Sequence, residues 1–184
     1  MKKLLFSVMF GALTLVYGAA EEAADAVSVI LNNFGARNYT AGTIPKADLD
    51  KIIAAGIRAP SASNKQPWQF TVVTTPALTA KIMNELPEGN ALIIVSADSD
   101  SRENFLDCAL AIENIYLAAQ ALGYGSRIYA GPVGMINGGL KKELGIPQER
   151  AVVSLVRVGR LSKNTDGVTS ASPRKSESSV VTYK

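Results

Sequence analysis

Apolar and polar positions alternate with a changing period along the chain, and each change marks an element. Val27, Ile30, Leu31 and Phe34 recur at i, i+3, i+4 and i+7 and predict an amphipathic helix. A second helix is expected from about Pro45, a residue suited to a first helical turn, with Leu49, Ile52, Ile53 and Ile57 on one face. Residues 68–74 are aromatic and β-branched and stop at Pro76, which predicts a strand, followed by a short helix over residues 78–86. The unbroken apolar run at 91–97 predicts a buried central strand. Residues 102–122 form the longest helical segment. Its Leu106, Leu110, Ile112, Ile115, Leu117 and Leu122 fall on more than one side, as in a helix central to a core or to a subunit interface, and Gly123 is its stop. A strand near 126–130, a Gly-rich connection through Gly131, Gly134, Gly138 and Gly139, a helix near 140–144 and a strand at 151–158 complete the body. From Leu161 the chain is polar and rich in Ser and Thr until Val180 and Val181, a composition that in isolation predicts disorder.

The first twenty residues follow another pattern. Lys2 and Lys3 precede an apolar run over residues 4–17, then Gly18, Ala19 and Ala20 stand before Glu21 and Glu22. That order is the order of a secretory signal peptide, residues 1–20, and implies export to a periplasmic or extracellular space. The alternative is an uncleaved membrane anchor, against which stand Ser7, Gly11 and Thr14 in a run already short for a span. The remaining residues 21–184 suffice for one domain.

Charge and residue usage exclude more than they propose. The net charge of +3 is spread along the chain and gives no footprint for nucleic acid. With no His and a single Cys in the chain, Ser-His-Asp and Cys-His nucleophiles and most catalytic zinc sites fall away. Cys108 lies among Leu106, Ala109, Leu110 and Ile112 and reads as a small buried hydrophobe.

Between the second helix and the first long strand lies Ala59-Pro60-Ser61-Ala62-Ser63-Asn64-Lys65-Gln66-Pro67-Trp68-Gln69-Phe70. Two prolines restrict the backbone while Ser61, Ser63, Asn64 and Gln66 offer hydroxyls and amides. Such a loop suits a heteroaromatic ligand with alternating donors and acceptors, and equally an ordinary helix exit and strand entry. The stretch resembles the A-P-S-x-x-N-x-Q-P-W-x-F signature of the nitroreductase family, matched at every fixed position. Other features agree in order: Arg37-Asn38-Tyr39-Thr40 upstream, Asp107 near the start of the long helix, Ile128-Tyr129-Ala130-Gly131, and Arg174 before Val180 and Val181. The resemblance covers residues 27–184.

That resemblance implies an α+β fold with a mixed central sheet flanked by helices, and an interlocked homodimer holding FMN at the subunit interface. Residues 161–184 would be a C-terminal arm packed on the partner. It implies an oxidoreductase passing electrons from NAD(P)H to a nitroaromatic, quinone or similar small-molecule acceptor in ping-pong order, with no nucleic acid and no stable membrane insertion. Pro60, Ser61, Ala62, Asn64 and Gln66, with Asp107, would form the flavin side of the site. Arg37 and Arg174 would clamp the phosphate, a task suited to the guanidinium fork. Ile128, Ala130 and Gly131 would lie against the ring, with a backbone N–H aimed at N5. No side chain is implied as a catalytic acid or base, and no metal. The family's R-R-S-x-R stretch is here Asn33-Phe34-Gly35-Ala36-Arg37, so its first two Arg and its Ser are missing, with Lys175 a candidate to compensate. Asn84 and Asn90 are candidates for a ribityl contact. The altered clamp and the export signal favour a rival: an exported protein of this fold that binds a flavin or other planar ligand without turnover.

Overall fold

In the computed structural model residues 25–98 and 101–184 are described; the expected signal segment lies outside them. The sheet is built from β2 (Trp68–Val73), β3 (Ala91–Ala97), β5 (Ala151–Leu161) and β4 (Gly125–Tyr129) in that spatial order, and the two-residue β1 (Tyr39–Thr40) pairs with the end of β5. All seven residues of β3 are buried, because strands flank both its edges and helices cover both its faces. The α+β class is as expected. The mixed sheet is corrected: among the described residues every strand pairing is antiparallel. β3 and β4, joined through the long helix, run in the same direction, but β5 lies between them and opposes both, so no parallel pair forms.

One face of the sheet is covered by α2 (Lys46–Ile57) and α4 (Arg102–Ala121), with Ile52, Ile93, Val95, Ile112, Ile115 and Val156 in the core between. The two helices approach closely at Gly56, where a Cβ would come within 2.7 Å of Ile115 Cγ1. Asn114 Nδ2 donates to Ala55 O at 3.0 Å across the same contact. The opposite face is covered by α3 (Pro76–Ile82) and the segment after β4, around Leu92, Ile94, Ile136, Leu144 and Leu155.

Three segments depart from expectation. The Gly-rich connection is helical, with α5 (Val133–Met135) continuing into a π turn (Ile136–Leu140), whereas residues 141–145 are turns. Val133, Ile136 and Leu140 point into the second core, and that burial outweighs the low helix propensity of Gly138 and Gly139, which are exposed. The first helix, α1 (Ala26–Asn32), forms under an Asp25 cap, yet Val27, Ile30 and Leu31 are 59%, 51% and 78% exposed. The polar tail holds a short helix, α6 (Gly167–Ser170), and folds back over residues 34–38. Ser162 N–H and the Thr165 hydroxyl both donate to Asn38 O, and a Cβ at Gly167 would lie 3.0 Å from the Phe34 ring. Among the described residues no helix is long and apolar enough to cross a membrane.

Candidate functional site

The loop that links α2 to β2 is held by α4. Asp107, buried in the second turn of α4, accepts the Ala62 N–H on both carboxylate oxygens at 3.1 Å. The loop also bonds to itself: Gln66 N–H donates to Ser61 Oγ at 3.0 Å, Asn64 N–H to Ser61 O at 3.0 Å, and Gln66 Nε2 to Asn64 Oδ1 at 3.2 Å. Its backbone is strained. Ser63, Asn64 and Gln66 have φ of 51°, 54° and 49°, a left-handed conformation that costs roughly 1 kcal/mol for each side chain other than glycine. An ordinary helix exit needs no such cluster, and strain of this kind persists only where the surroundings over-determine it.

Arg150 closes the loop's far end. It donates to Pro67 O at 2.6 Å, Ser96 O at 2.8 Å and Ser96 Oγ at 3.0 Å, and it pairs with Asp98. The Asp98 N–H adds a second bond to Pro67 O. With both ends fixed, Pro60, Ala62, Asn64 and Gln66 remain exposed and Ser61 half-buried.

A second group gathers at the other end of α4. Phe34 is gripped by Gln120, which accepts the Phe34 N–H at 3.1 Å and donates to Phe34 O at 3.2 Å. The same amide donates to Ser126 Oγ at 2.9 Å, and that hydroxyl donates to Tyr116 O at 2.7 Å. Residues 33–38 are thereby laid along the end of α4 and the edge of β4. Arg37 and Asn38 wall a cavity of about 380 Å³ with Ser170, Ala171, Ser172 and Pro173. Arg174 lies beside it, donating to Ser172 O at 2.7 Å; burial pushes the Tyr116 phenol up, opposed first by the Gln120 amide and then by the charge of Arg174. Neither Arg37 nor Arg174 forms an ion pair with a described residue.

Asn33, at the position of the first missing Arg, is committed to structure: its amide donates to Ile30 O and accepts from the Tyr116 hydroxyl. Asn90 is likewise engaged, accepting from Arg157 Nε and Nη2 at 3.1 and 2.9 Å and donating to Thr40 O at 3.2 Å, while Asn84 is exposed.

The third group is the exit of β4. Ile128 is 40% exposed, Ala130 and Gly131 are exposed, and nothing lies within 4 Å of where a Gly131 Cβ would be. β4 runs in the direction of β3, so this exit lies at the end of the sheet where β3 finishes and β2 begins.

The structure thus brings Pro60, Ser61, Ala62, Asn64, Gln66 and Asp107 together at one end of α4, and Arg37 and Arg174 together at the other. It does not unite the two groups. Their anchors, Asp107 and Gln120, are thirteen residues apart on one helix, roughly 20 Å at 1.5 Å per residue. One end offers strained, exposed donors and acceptors, the other two guanidinium groups that reach no described carboxylate. Gln120 and Arg150, which hold these groups, carry no signal in the sequence, since their partners lie 86, 83 and 54 positions away.

Known proteins share this arrangement of elements. The profile of the Nitroreductase family matches residues 35–91 and 79–160. A protein of Archaeoglobus fulgidus, provisionally named NADH dehydrogenase/NAD(P)H nitroreductase, is 34% identical over 148 residues, covering 73% of this chain and 84% of the relative. A protein of Methanothermobacter thermautotrophicus with the same provisional name is 30% identical over 152 residues, 76% of this chain and 79% of its own length. A crystal structure of a protein so named from Parabacteroides distasonis superposes with a TM-score of 0.72 at 25% identity, covering 86% of this chain and 98% of that one. A Bacteroides fragilis nitroreductase solved with bound FMN has the same fold, with a TM-score of 0.70 at 23% identity over 87% of this chain and 98% of that one. The motif at residues 59–70, the sheet that carries it and these matches agree, and the chain belongs to the nitroreductase family.

Proposed function

We propose that this protein is an FMN-dependent oxidoreductase that transfers electrons from NAD(P)H to a nitroaromatic, quinone or similar acceptor, and that two copies of the chain complete each site. The observation that carries the reading is the separation of the 60–66 loop from Arg37 and Arg174 by the length of α4. A second copy related by a twofold axis across α4 would set the loop of one chain beside the arginines of the other. The exposed Leu106 and Leu110 on α4, and Val27, Ile30 and Leu31 on α1, supply apolar surface for that contact. The exposed tail, with Val180, Val181 and Tyr183, supplies an arm to pack on the partner.

The residues present fit FMN. Arg37 and Arg174 have no carboxylate partner among the described residues and offer paired donors for a phosphate. The rigid loop at Pro60, Ser61, Ala62 and Asn64 presents polar edges to a heteroaromatic ring. Ile128 and Ala130 offer an open surface, and the empty space over Gly131 lets a ring approach the backbone. Bound FMN supplies the hydride chemistry. The chain's part is to bind and orient: Asp107 fixes the loop through Ala62, Arg150 fixes its exit, and the arginines hold the anionic end. The names of the Archaeoglobus relative and the Bacteroides neighbour support this reading. The pattern of residues 1–20 supports export, tested by the N-terminal mass of the mature protein.

The deciding experiment is the visible spectrum of the purified protein after incubation with FMN and desalting. About one retained flavin per chain is expected; colourless protein would overturn the assignment. The loss of Arg at positions 33 and 34 and of Ser at position 35 favours a second reading, a binder of flavin or another planar ligand without turnover. Anaerobic NADPH bleaches the colour of an enzyme and leaves that of a passive binder.

A further inference from the structure

Strand β4 places a charge where neither fold nor core asks for one. Arg127 stands directly opposite Arg157 of β5 in the antiparallel register. Residues so paired share a face of the sheet with Cβ atoms about 5 Å apart, and like charges there destabilise. Neither arginine forms an ion pair with a described residue. Arg157 has structural work: it stacks on the Tyr39 ring at 3.8 Å and donates twice to Asn90 Oδ1. Arg127 makes one contact of that kind, and a longer one. Its guanidinium lies 5.3 Å from the Tyr129 ring centroid, and it donates no hydrogen bond to a described residue, although the side chain is half-buried.

The position of Arg127 gives it a use. Its stem lies against Gly35, where a Cβ would sit 3.8 Å from Cγ and 3.9 Å from Cδ. The neighbouring Ala36 N–H donates to Ser126 O at 3.0 Å, so residues 35–37 run along the outer edge of β4 beside Arg127. Two residues on from Gly35, Arg37 enters the wall of the 380 Å³ cavity. The Asn33 amide, already bonded to Ile30 and Tyr116, cannot replace the charge absent from its own position.

We propose that Arg127 is an anion-binding residue which, with Arg37 and Arg174, receives a phosphomonoester dianion and supplies from β4 the positive charge that the family's motif carries at the position of Asn33. The identity of that phosphate as the one on FMN rests on the function proposed above; the anion site does not.

Thermal melts of the purified protein in inorganic phosphate and in chloride, at equal ionic strength and pH, test the site without flavin. Phosphate at about ten times its dissociation constant raises the melting temperature of the parent protein by roughly 3 °C. Arg127→Gln abolishes that rise, and Arg127→Lys keeps part of it. In chloride, Arg127→Gln melts at or above the parent temperature, because a like-charge contact with Arg157 is relieved, which also shows that it folds. A phosphate effect that is absent from the parent, or equal in parent and Arg127→Gln, overturns the proposal.

Fluorescence titration with FMN and with riboflavin, which lacks the phosphate, gives a second readout. Arg127→Gln weakens FMN about tenfold and leaves riboflavin unchanged; an equal loss for both overturns the proposal. If the parent binds no FMN while its phosphate response depends on Arg127, the anion site stands and the flavin enzyme does not.

Discussion

The two ends of α4 are built on opposite plans. At the Asp107 end, the 60–66 loop is tied to a buried carboxylate, to its own side chains and to Arg150, and it holds three left-handed residues in place. At the Gln120 end, Arg37 and Arg174 are exposed and reach no described carboxylate. The first end is finished before a ligand arrives and meets it with little loss of freedom. The second keeps its two guanidinium groups exposed. On the function proposed above, shape recognition would sit on the rigid end and charge recognition on the open one, dividing selectivity for a ring from affinity for its anionic tail.

Asp107→Ala strikes the rigid end hardest. It leaves the Ala62 N–H without its charged acceptor and should lower stability by roughly 2–3 kcal/mol, read by chemical denaturation, with weaker binding of FMN and riboflavin alike. Arg37→Ala or Arg174→Ala should weaken FMN by about tenfold or more, spare riboflavin and move the unfolding free energy of the free protein by less than about 0.5 kcal/mol. If either substitution unfolds the protein, the open end is structural and the contrast fails.

Cys108, buried beneath the rigid end, adds a pH signature. Burial first, then Asp107 and Asp98, push its thiol from 9.0 up to about 11, against Arg150. The unfolded thiol therefore ionises first, so stability present below pH 9 is lost as pH rises toward 11, on the order of 2 kcal/mol. Cys108→Ala should flatten that part of the profile, leaving the decline above pH 10 that comes from the raised phenols of Tyr39 and Tyr116. The smallest effect is Ser63→Gly, expected to stabilise the free protein by about 0.5–1 kcal/mol through relief of the positive φ. Destabilisation would mean that the loop is not strained.

The sheet and its two covering helices were legible in the sequence because one physical cause, burial against β3 and β5, sets the period of α2, β2, β3 and α4 together. Residues 131–139 read as a connection because four glycines weigh against a helix, although Val133, Ile136 and Leu140 already carry a spacing that approximates helical turns. For the candidate site, the motif at 59–70 was legible as a resemblance. Its strain was not, since nothing in Ser63 or Gln66 as residue types announces a left-handed backbone. The supports, Gln120 and Arg150, were illegible for a simpler reason. Their partners are brought near only by folding, and an isolated Gln in a helix or Arg in a turn reads as a solvated side chain. Arg127 could have been noticed only once β4 and β5 were in register.

Helix α4 also acts as a spacer. The thirteen residues between Asp107 and Gln120 fix how far apart the loop and residues 33–38 are displayed, and in which relative direction. Deleting one of them would draw the ends together by only about 1.5 Å but turn one against the other by roughly 100°, so that the second copy proposed above could no longer meet both. Substitutions along the helix are therefore absorbed far more readily than a change in its residue count. Among descendants of this chain, α4 should drift in composition while keeping its length.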